Sequence, residues 1–150
     1  MNLVLNASGN VILNNGGSAL ITSTNTLIAA RWHHIAIVRK TAVTSMYIDG
    51  VQQTNYADTN TYPFARFALG KDVSNAQQFI GNFDNLIVRK GTADYDAATI
   101  TPPSDPDFTR TGIVFGLNGE APFIVSTTET YATLTGLTNS SSTLLSLIHI

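Results

Sequence analysis

The sequence predicts an all-β protein, and two observations carry that prediction. Apolar residues make up 43% of the chain and charged residues only 12%, with many Thr and Asn, which favours strands joined by polar turns over helices rich in Glu and Lys. Short apolar runs also recur between turn-forming residues along most of the chain. A chain of 150 residues has room for one domain with a sizeable core.

A meander of hairpins is predicted at the start of the chain. The apolar runs LVL, VIL and SALI are separated by the turn-forming stretches ASGN and NNGG. Gly and Asn at these positions supply the positive φ angles that tight turns require. We therefore expect small strands with short connections.

The next strand is predicted in RWHHIAIVRK, residues 31–40. Alternation places one set of its side chains on one face, Trp32, His34, Ala36 and Val38, and the other set on the opposite face, His33, Ile35, Ile37 and Arg39. Because both faces are largely apolar, the strand belongs in the middle of a sheet.

The paired histidines of this strand do not predict a metal or catalytic site. Adjacent residues of a strand point to opposite faces, so His33 and His34 cannot both face one metal ion or one substrate. The surrounding sequence supplies neither a nucleophile nor a carboxylate for general-base catalysis. We interpret both as structural residues and expect no catalytic residue and no metal site.

A hairpin turn is predicted at Asp49 and Gly50, between the β-prone runs of SMYIDGVQQ. An Asp-Gly pair accepts the positive φ angles of a type I′ turn. The polar stretch NYADTNTY, residues 55–62, follows and ends at Pro63, so it is predicted to be a long loop before a strand in FARFALG.

This long loop contains the predicted carbohydrate-binding residues, which are Tyr56, Asp58, Asn60 and Tyr62. Tyr rings combine an apolar face with a polar tip, and Asn and Asp beside them supply hydrogen bonds to hydroxyl groups. Phe64 extends the aromatic group. The alternative is that the rings only cover the rim of the fold.

A last long strand is predicted in FIGNFDNLIVRKG, as a strand pair or as one bent strand. Gly81 marks a bulge or a close approach of other atoms. Asp84 is expected to accept backbone N–H hydrogen bonds, and the run Leu86–Val88 is expected to be buried. Three prolines, Pro102, Pro103 and Pro106, then predict a domain edge.

Composition and motifs argue against several function classes. Basic residues are scattered and the net charge is -2, which argues against nucleic acid as a partner. No apolar run approaches the ~20 residues that cross a bilayer, so no membrane is expected. The chain has no cysteine, which excludes disulfides and thiolate chemistry.

The carboxylates match neither a glycosidase nor a calcium loop. The glutamates, Glu120 and Glu129, both follow the proline-rich break, and no cluster of alternating carboxylates precedes it. Four loop aspartates offer oxygen atoms of the kind that Ca²⁺ uses, Asp58, Asp72, Asp94 and Asp96, but their spacing does not match a calcium loop. No cofactor is expected.

Four segments in order, RWHHIAIVR, MYIDGVQ, FIGNFDNLIVRKGTADY and TITPP, resemble the C-terminal half of a laminin G-like, concanavalin A-like lectin/glucanase domain. The resemblance implies an antiparallel β-sandwich (jelly roll), truncated at its N-terminus because the family's early strands would precede Met1. In the family pattern Trp32 matches a core tryptophan. The chain departs from related phage-like sequences at Asp94, where they have Arg, and at Ile100, where they have Phe.

The remaining residues that match the family pattern are structural: Asp49 and Gly50 match its hairpin turn, and Gly81, Asp84 and Val88 match its last long strand. The resemblance implies a partial sandwich over residues 1–103. Residues 104–144 are interpreted as further strands and a Ser/Thr-rich linker, with the start of a next module as one option.

Residues 145–150 are interpreted as a sequencing-library scar. The letters LSLIHI match the translation of a transposon end used to fragment DNA, which also points to an assembled environmental sequence. The alternative is a short natural strand.

The resemblance implies a non-catalytic carbohydrate-binding or adhesion module of a phage tail, virion or bacterial surface protein. Its expected partners are a glycan or host-surface receptor and other subunits or domains of a larger surface protein, and its expected location is the virion or the cell exterior. Two alternatives remain open: a structural decoration or spacer domain, and a fragment of a polysaccharide-degrading enzyme.

Overall fold

The chain forms β-strands in two sheets, as seen in a computed structural model. The structure describes residues 1–62, 69, 70, 79–89, 91 and 93–104, and the backbone of residues 113–117, 124–125 and 147–149. No helix occurs among them, which confirms the predicted all-β class. Several predicted features lie outside the described residues, namely Phe64, Asp72, Pro106, Glu120, Glu129, most of the strand in FARFALG and the Ser/Thr-rich stretch.

The smaller sheet contains β1 (Asn2–Leu5), β2 (Asn10–Asn15) and β3 (Ser18–Thr26), each antiparallel to the next. The side chain of Asn6 closes the first turn by accepting hydrogen bonds from the backbone N–H groups of Ser8 and Asn10. Gly16 and Gly17 form the second turn with φ angles of 58° and 88°. The predicted meander of hairpins is therefore confirmed.

The larger sheet contains the other strands, which are β4 (His34–Lys40), β5 (Val43–Ile48), β6 (Val51–Ala57), β7 (Leu86–Arg89), β8 (Ile113–Leu117), β9 (Ile124–Val125) and β10 (Leu147–His149). Their order across the sheet is β6-β5-β4-β10-β7-β8-β9. β8 and β9 follow the prolines along the chain and extend the sheet beyond β7.

The position of β10 differs from that of every other described strand. It lies between β4 and β7 and runs parallel to both, whereas all other neighbouring strands are antiparallel. Three of its residues pair with β4, and His149 pairs with Ile87 of β7. These residues belong to the segment interpreted as a library scar, and that interpretation stays a prediction.

The turn between β5 and β6 has the conformation that its sequence predicts. Asp49 and Gly50 have φ angles of 50° and 83°, so both occupy the left-handed region that a type I′ turn requires. Ile35 pairs with Ile48 at this end, and the backbone N–H of Asp49 donates to the carbonyl of His34 at 2.8 Å. The hairpin thus fixes Asp49 beside the start of β4.

The core between the two sheets consists of inward-facing apolar side chains from β2, β3, β4 and β5: Val11, Leu13, Ile21, Ile35, Ile37, Met46 and Ile48. Each is at most 8% exposed. Burial of one such side chain contributes about 1.5–3 kcal/mol, so this layer is the main source of stability for the sandwich.

The opposite face of β4 and β5 is also buried, by residues 93–100, which we name the strap. Ala93, Tyr95 and Ile100 of the strap pack on a second apolar cluster formed by Ala36, Val38 and Tyr47. The Tyr47 hydroxyl donates to the carbonyl of Ala97 at 3.0 Å, and the backbone N–H of Ile100 donates to the carbonyl of Gly50 at 2.7 Å. The prediction that β4 is buried on both faces is confirmed.

The segment before β7 contains the predicted close approach but no strand. A Cβ atom on Gly81 would lie 2.5 Å from the ring of Phe79. Asp84 is buried and accepts a hydrogen bond from the backbone N–H of Asn85 at 2.7 Å, as expected. The predicted burial of Leu86–Val88 is confirmed, but the strand begins only at Leu86 and has four residues.

Trp32 does not lie in the core, so that prediction is wrong. β4 begins at His34, and Trp32 lies in the connection before it with 43% of its surface exposed. The ring therefore does not continue the row of Ala36 and Val38. The physical reason is that the turn residues before β4, including Ala30 with a φ of 59°, break the alternation on which the prediction relied.

The open edges of the two sheets meet through side chains. Oε1 of Gln53 in β6 accepts hydrogen bonds from the backbone N–H groups of Thr24 and Asn25 and from the Thr24 hydroxyl, at 2.9–3.1 Å. The hydroxyl of Thr54 donates to the carbonyl of Thr22 in β3. These bonds join β3 and β6 without a regular strand ladder.

Replacing Gly50 by Ala should destabilise the domain much more than replacing Gly17. Both glycines have φ angles near 85°, which cost an Ala about 1–2 kcal/mol. A Cβ atom at Gly50 would also lie 2.2 Å from the carbonyl oxygen of Ile100, whereas no atom lies within 4 Å of one at Gly17. We expect Gly50→Ala to cost about 2 kcal/mol more than Gly17→Ala, measured by urea unfolding followed by Trp32 fluorescence. Equal losses would contradict a tightly packed strap.

Stability should fall on mild acidification because of His34. Burial lowers the pKa of His34 below its ordinary value of 6.5, although the Asp49 carboxylate acts to raise it. Below about pH 6.5 the unfolded chain binds this proton more readily than the folded chain, so the free energy of unfolding decreases. His34→Leu should reduce the decrease between pH 7 and 5, measured by urea unfolding at each pH. Parallel curves for the two proteins would contradict this role.

Candidate functional site

A cluster of polar side chains lies at one end of the sandwich, where β6 leads into residues 58–62. It comprises Arg39 of β4, Thr44 of β5 and Asp58, Asn60 and Tyr62 of the loop, and we name it the rim cluster. Arg39 and Thr44 are paired residues on neighbouring strands, so their side chains share one face of the sheet. The register of β4 and β5 therefore brings the strand residues of the cluster together.

Asp58 is the centre of the rim cluster, and its side chain is buried. Its carboxylate accepts hydrogen bonds from the hydroxyl of Thr44 at 2.6 Å and from the hydroxyl of Tyr62 at 3.0 Å. The backbone N–H and the side-chain amide of Asn60 donate to Oδ1 at 3.1 and 3.0 Å. A buried carboxylate with this many donors fixes the loop.

Arg39 closes the rim cluster from the solvent side. Its Nη2 donates to the carbonyls of Asp58 at 3.0 Å and Asn60 at 2.8 Å, and Nε lies 3.5 Å from Oδ2 of Asp58. The guanidinium carbon is 5.6 Å from the centre of the Tyr62 ring, within the range of a cation–π contact. The side chain is 43% exposed, so it is held in place while still reaching solvent.

The electrostatics of the cluster keep Asp58 ionised. Burial acts to raise the pKa of Asp58, but the hydrogen bonds from Thr44, Tyr62 and Asn60 outweigh it, and the pKa lies below its ordinary value. Burial and the neighbouring carboxylate raise the pKa of the Tyr62 hydroxyl, which stays a donor at neutral pH. The cluster thus has one buried anion and one partly exposed cation.

The structure brings three of the four predicted carbohydrate-binding residues together. Asp58, Asn60 and Tyr62 share the rim cluster, with Asn60 and Tyr62 partly exposed and Asp58 fully buried. Tyr56 lies in β6 and packs against the core between the sheets. Asp58 therefore positions the loop, and Asn60 and Tyr62 are the members of the predicted set that solvent reaches within the cluster.

Sequence reasoning missed Arg39 and Thr44 as partners of this loop. The predicted alternation did place Arg39 on the face of Ile35 and Ile37, which is the core face. A charged residue that continues an apolar row on the core face favours an acidic partner nearby, and this was the signal available in the sequence. What the sequence did not show was which loop aspartate would supply that charge.

His33 has a carboxylate partner that the local sequence did not reveal. Its Nδ1 lies 2.7 Å from Oδ2 of Asp49, and Nε2 lies 2.9 Å from the backbone nitrogen of Ile28. With Nδ1 donating to Asp49, Nε2 accepts from Ile28, so the nitrogen that a general base would use is already occupied. The His34 ring instead lies edge-on to Tyr95 at 6.1 Å. The arrangement supports a structural role for His33.

No group of three His, Asp or Glu side chains among the described residues could hold a metal ion.

Two ion pairs involve aspartates of the strap. Arg89 forms an ion pair with Asp94, the residue that departs from the family pattern. Lys40 pairs with Asp96 at 2.5 Å. No helix among the described residues is long and apolar enough to cross a membrane.

Replacing Asp58 by Asn should destabilise the domain by about 3 kcal/mol, because the buried donors and Arg39 lose their anion. Asp96→Asn is the matched control: its carboxylate is 65% exposed and paired with Lys40, so the free energy of unfolding should stay nearly unchanged. Urea unfolding measures both.

The same pair of variants tests the pH dependence of the rim cluster. Because the pKa of Asp58 is lowered in the folded state, its contribution is present above about pH 4 and is lost as the pH falls through the folded pKa. Asp58→Asn should remove this acid-induced loss. A wild-type loss that persists in the variant would show that other carboxylates cause it.

Comparisons with known proteins identify the family of the chain. A family model of the concanavalin A-like lectin/glucanases superfamily matches residues 2–92. Comparisons with curated proteins and with solved structures return no match. The matched segment contains β1–β7 and the rim cluster, and the all-β sandwich agrees with the fold that the sequence predicts. The chain therefore belongs to the concanavalin A-like lectin/glucanases superfamily.

Proposed function

We propose that the domain is a non-catalytic carbohydrate-binding or adhesion module of a phage tail, virion or bacterial surface protein. Its ligand is a glycan or host-surface receptor, and its other partners are subunits or domains of a larger surface protein. The observation that supports this most is the rim cluster, which holds exposed parts of Arg39, Asn60 and Tyr62 in a fixed arrangement.

Preorganisation is the physical reason why this cluster suits a weak ligand. Ordering a flexible side chain on binding costs about 0.5–1.5 kcal/mol, and the Arg39 side chain is already ordered by its bonds to the loop carbonyls. The Tyr62 ring is held through its hydroxyl. A shallow site of this kind binds weakly by itself, and display of many copies on a particle multiplies its avidity.

The contacts of the aspartates support a non-catalytic role. Each aspartate that the structure describes accepts a hydrogen bond or an ion pair from the chain itself, at Asp49, Asp58, Asp84, Asp94 and Asp96. Hydrolysis of a glycosidic bond uses two carboxyl groups directed at one bond, one as an acid and one as a base or nucleophile. These carboxylates instead stabilise turns, the strap and the rim cluster.

A structural decoration or spacer domain is the second candidate. The observation that favours it is that the Asp58 carboxylate accepts its hydrogen bonds from Thr44, Asn60 and Tyr62 of the same chain. This part of the cluster stabilises the folded loop. Under this function the rim cluster would only anchor the loop after β6. The two candidates differ in whether the exposed atoms of Arg39 and Asn60 contact a ligand.

Arg39→Gln should weaken glycan binding, and Lys40→Gln should not. The two residues are adjacent in β4, each loses one positive charge, and their side chains lie on opposite faces of the strand. The domain would be displayed as a streptavidin-linked tetramer on a glycan array. We expect at least about a tenfold weaker signal for Arg39→Gln, or about 1.4 kcal/mol, and an unchanged signal for Lys40→Gln.

The control for this experiment is stability, since Arg39 also contacts the loop. Urea unfolding of both variants shows whether the domain is folded at the array temperature, and Asn60→Ala provides a second variant of the exposed surface. A wild-type tetramer that binds no glycan, or equal binding by all variants, would contradict the proposed function at this cluster.

A further inference from the structure

The exposed atoms of the rim cluster specify the chemistry of its ligand. Arg39 has five N–H groups. Two of them, on Nη2, are used by the carbonyls of Asp58 and Asn60, and the one on Nε faces Oδ2 of Asp58. Among the residues that the structure describes, none accepts a hydrogen bond from Nη1. The cluster therefore offers a pair of donors at a fixed position.

Asn60 offers the complementary atom. Its amide nitrogen donates to the Asp58 carboxylate at 3.0 Å and lies 3.4 Å from the Tyr62 hydroxyl. Because a carboxylate only accepts hydrogen bonds, this contact sets the orientation of the amide and leaves Oδ1 as an acceptor. No donor in the described part of the chain contacts that oxygen. Asn60 is partly exposed, so the acceptor is available to a ligand.

The local charge is balanced. The Arg39 guanidinium lies 3.5 Å from the ionised carboxylate of Asp58, and the neighbouring Lys40 pairs with Asp96 on the other face of β4. The chain as a whole carries a net charge of -2. An acidic ligand would thus gain little long-range attraction here, and it would approach both Asn60 Oδ1 and the buried anion.

We infer that the rim cluster selects neutral saccharides over acidic saccharides. A hydroxyl group both donates and accepts, so the hydroxyl groups of a neutral saccharide can accept from Nη1 of Arg39 and donate to Oδ1 of Asn60. A carboxylate satisfies the first contact and opposes the second. This inference rests on the proposed function and names the ligand class of the same site.

The test compares matched neutral and acidic probes. Cellohexaose and maltohexaose, and the same two chains oxidised at C6 to their glucuronate oligomers, would be immobilised and probed with the wild-type tetramer at 50 and 500 mM NaCl. We expect binding to a neutral probe to exceed that to its acidic counterpart at least tenfold and to change less than twofold with salt. Preference for the acidic probes with a steep salt dependence overturns the inference and leaves the proposed function intact. Binding to no glycan on the full array overturns both.

A pair of lysine variants separates the loss of the acceptor from the gain of charge. Asn60→Lys removes Oδ1 and adds a cation, whereas Thr59→Lys adds the same cation at the adjacent exposed position and keeps the acceptor. We expect Asn60→Lys to lose neutral binding at least tenfold and Thr59→Lys to retain it within threefold, with both folded by urea unfolding. Equal losses in the two variants would overturn the role of the Asn60 acceptor.

Discussion

The fold depends on one constraint, which is that the β4–β5 pair is apolar on both faces and must be covered twice. The smaller sheet covers the face that carries Ile35 and Ile37. The strap covers the other face through Tyr95 and Ile100. An uncovered face of this kind would leave a large apolar surface in water. The order of segments in the chain, first a hairpin sheet, then the central pair, then the strap, supplies the two covers in turn.

The rim cluster exists because the same strand pair ends in polar residues. Arg39 follows the apolar side chains of β4 on the core face. The buried carboxylate of Asp58 balances its charge. Burying one carboxylate is tolerable only with many donors, so the loop must place Asn60 and Tyr62 around it. The demands of folding therefore produce an ordered polar surface, which the proposed function uses.

The sequence predicted the features that depend on local physics and failed where distant segments meet. The turn at Asp49 and Gly50 and the buried run Leu86–Val88 follow from turn chemistry and apolar patterning, and both were confirmed. The prediction that Trp32 lies in the core was wrong because β4 begins later than the alternation of residues 31–40 suggested. The His33–Asp49 and Arg39–Asp58 contacts required the hairpin register and the loop path, which no single stretch of sequence encodes.

The bonds from Gln53 and Thr54 to β3 have a consequence for the behaviour of the protein in concentrated solution. Exposed edge strands recruit other chains and start aggregates, and many domains protect them with charges or proline. Here the side-chain oxygen of Gln53 accepts hydrogen bonds from three donors at the end of β3. The edge strands β3 and β6 therefore cover each other. Copies of the domain in concentrated solution would therefore not pair through this edge, although neither β3 nor β6 has a charged residue to repel them.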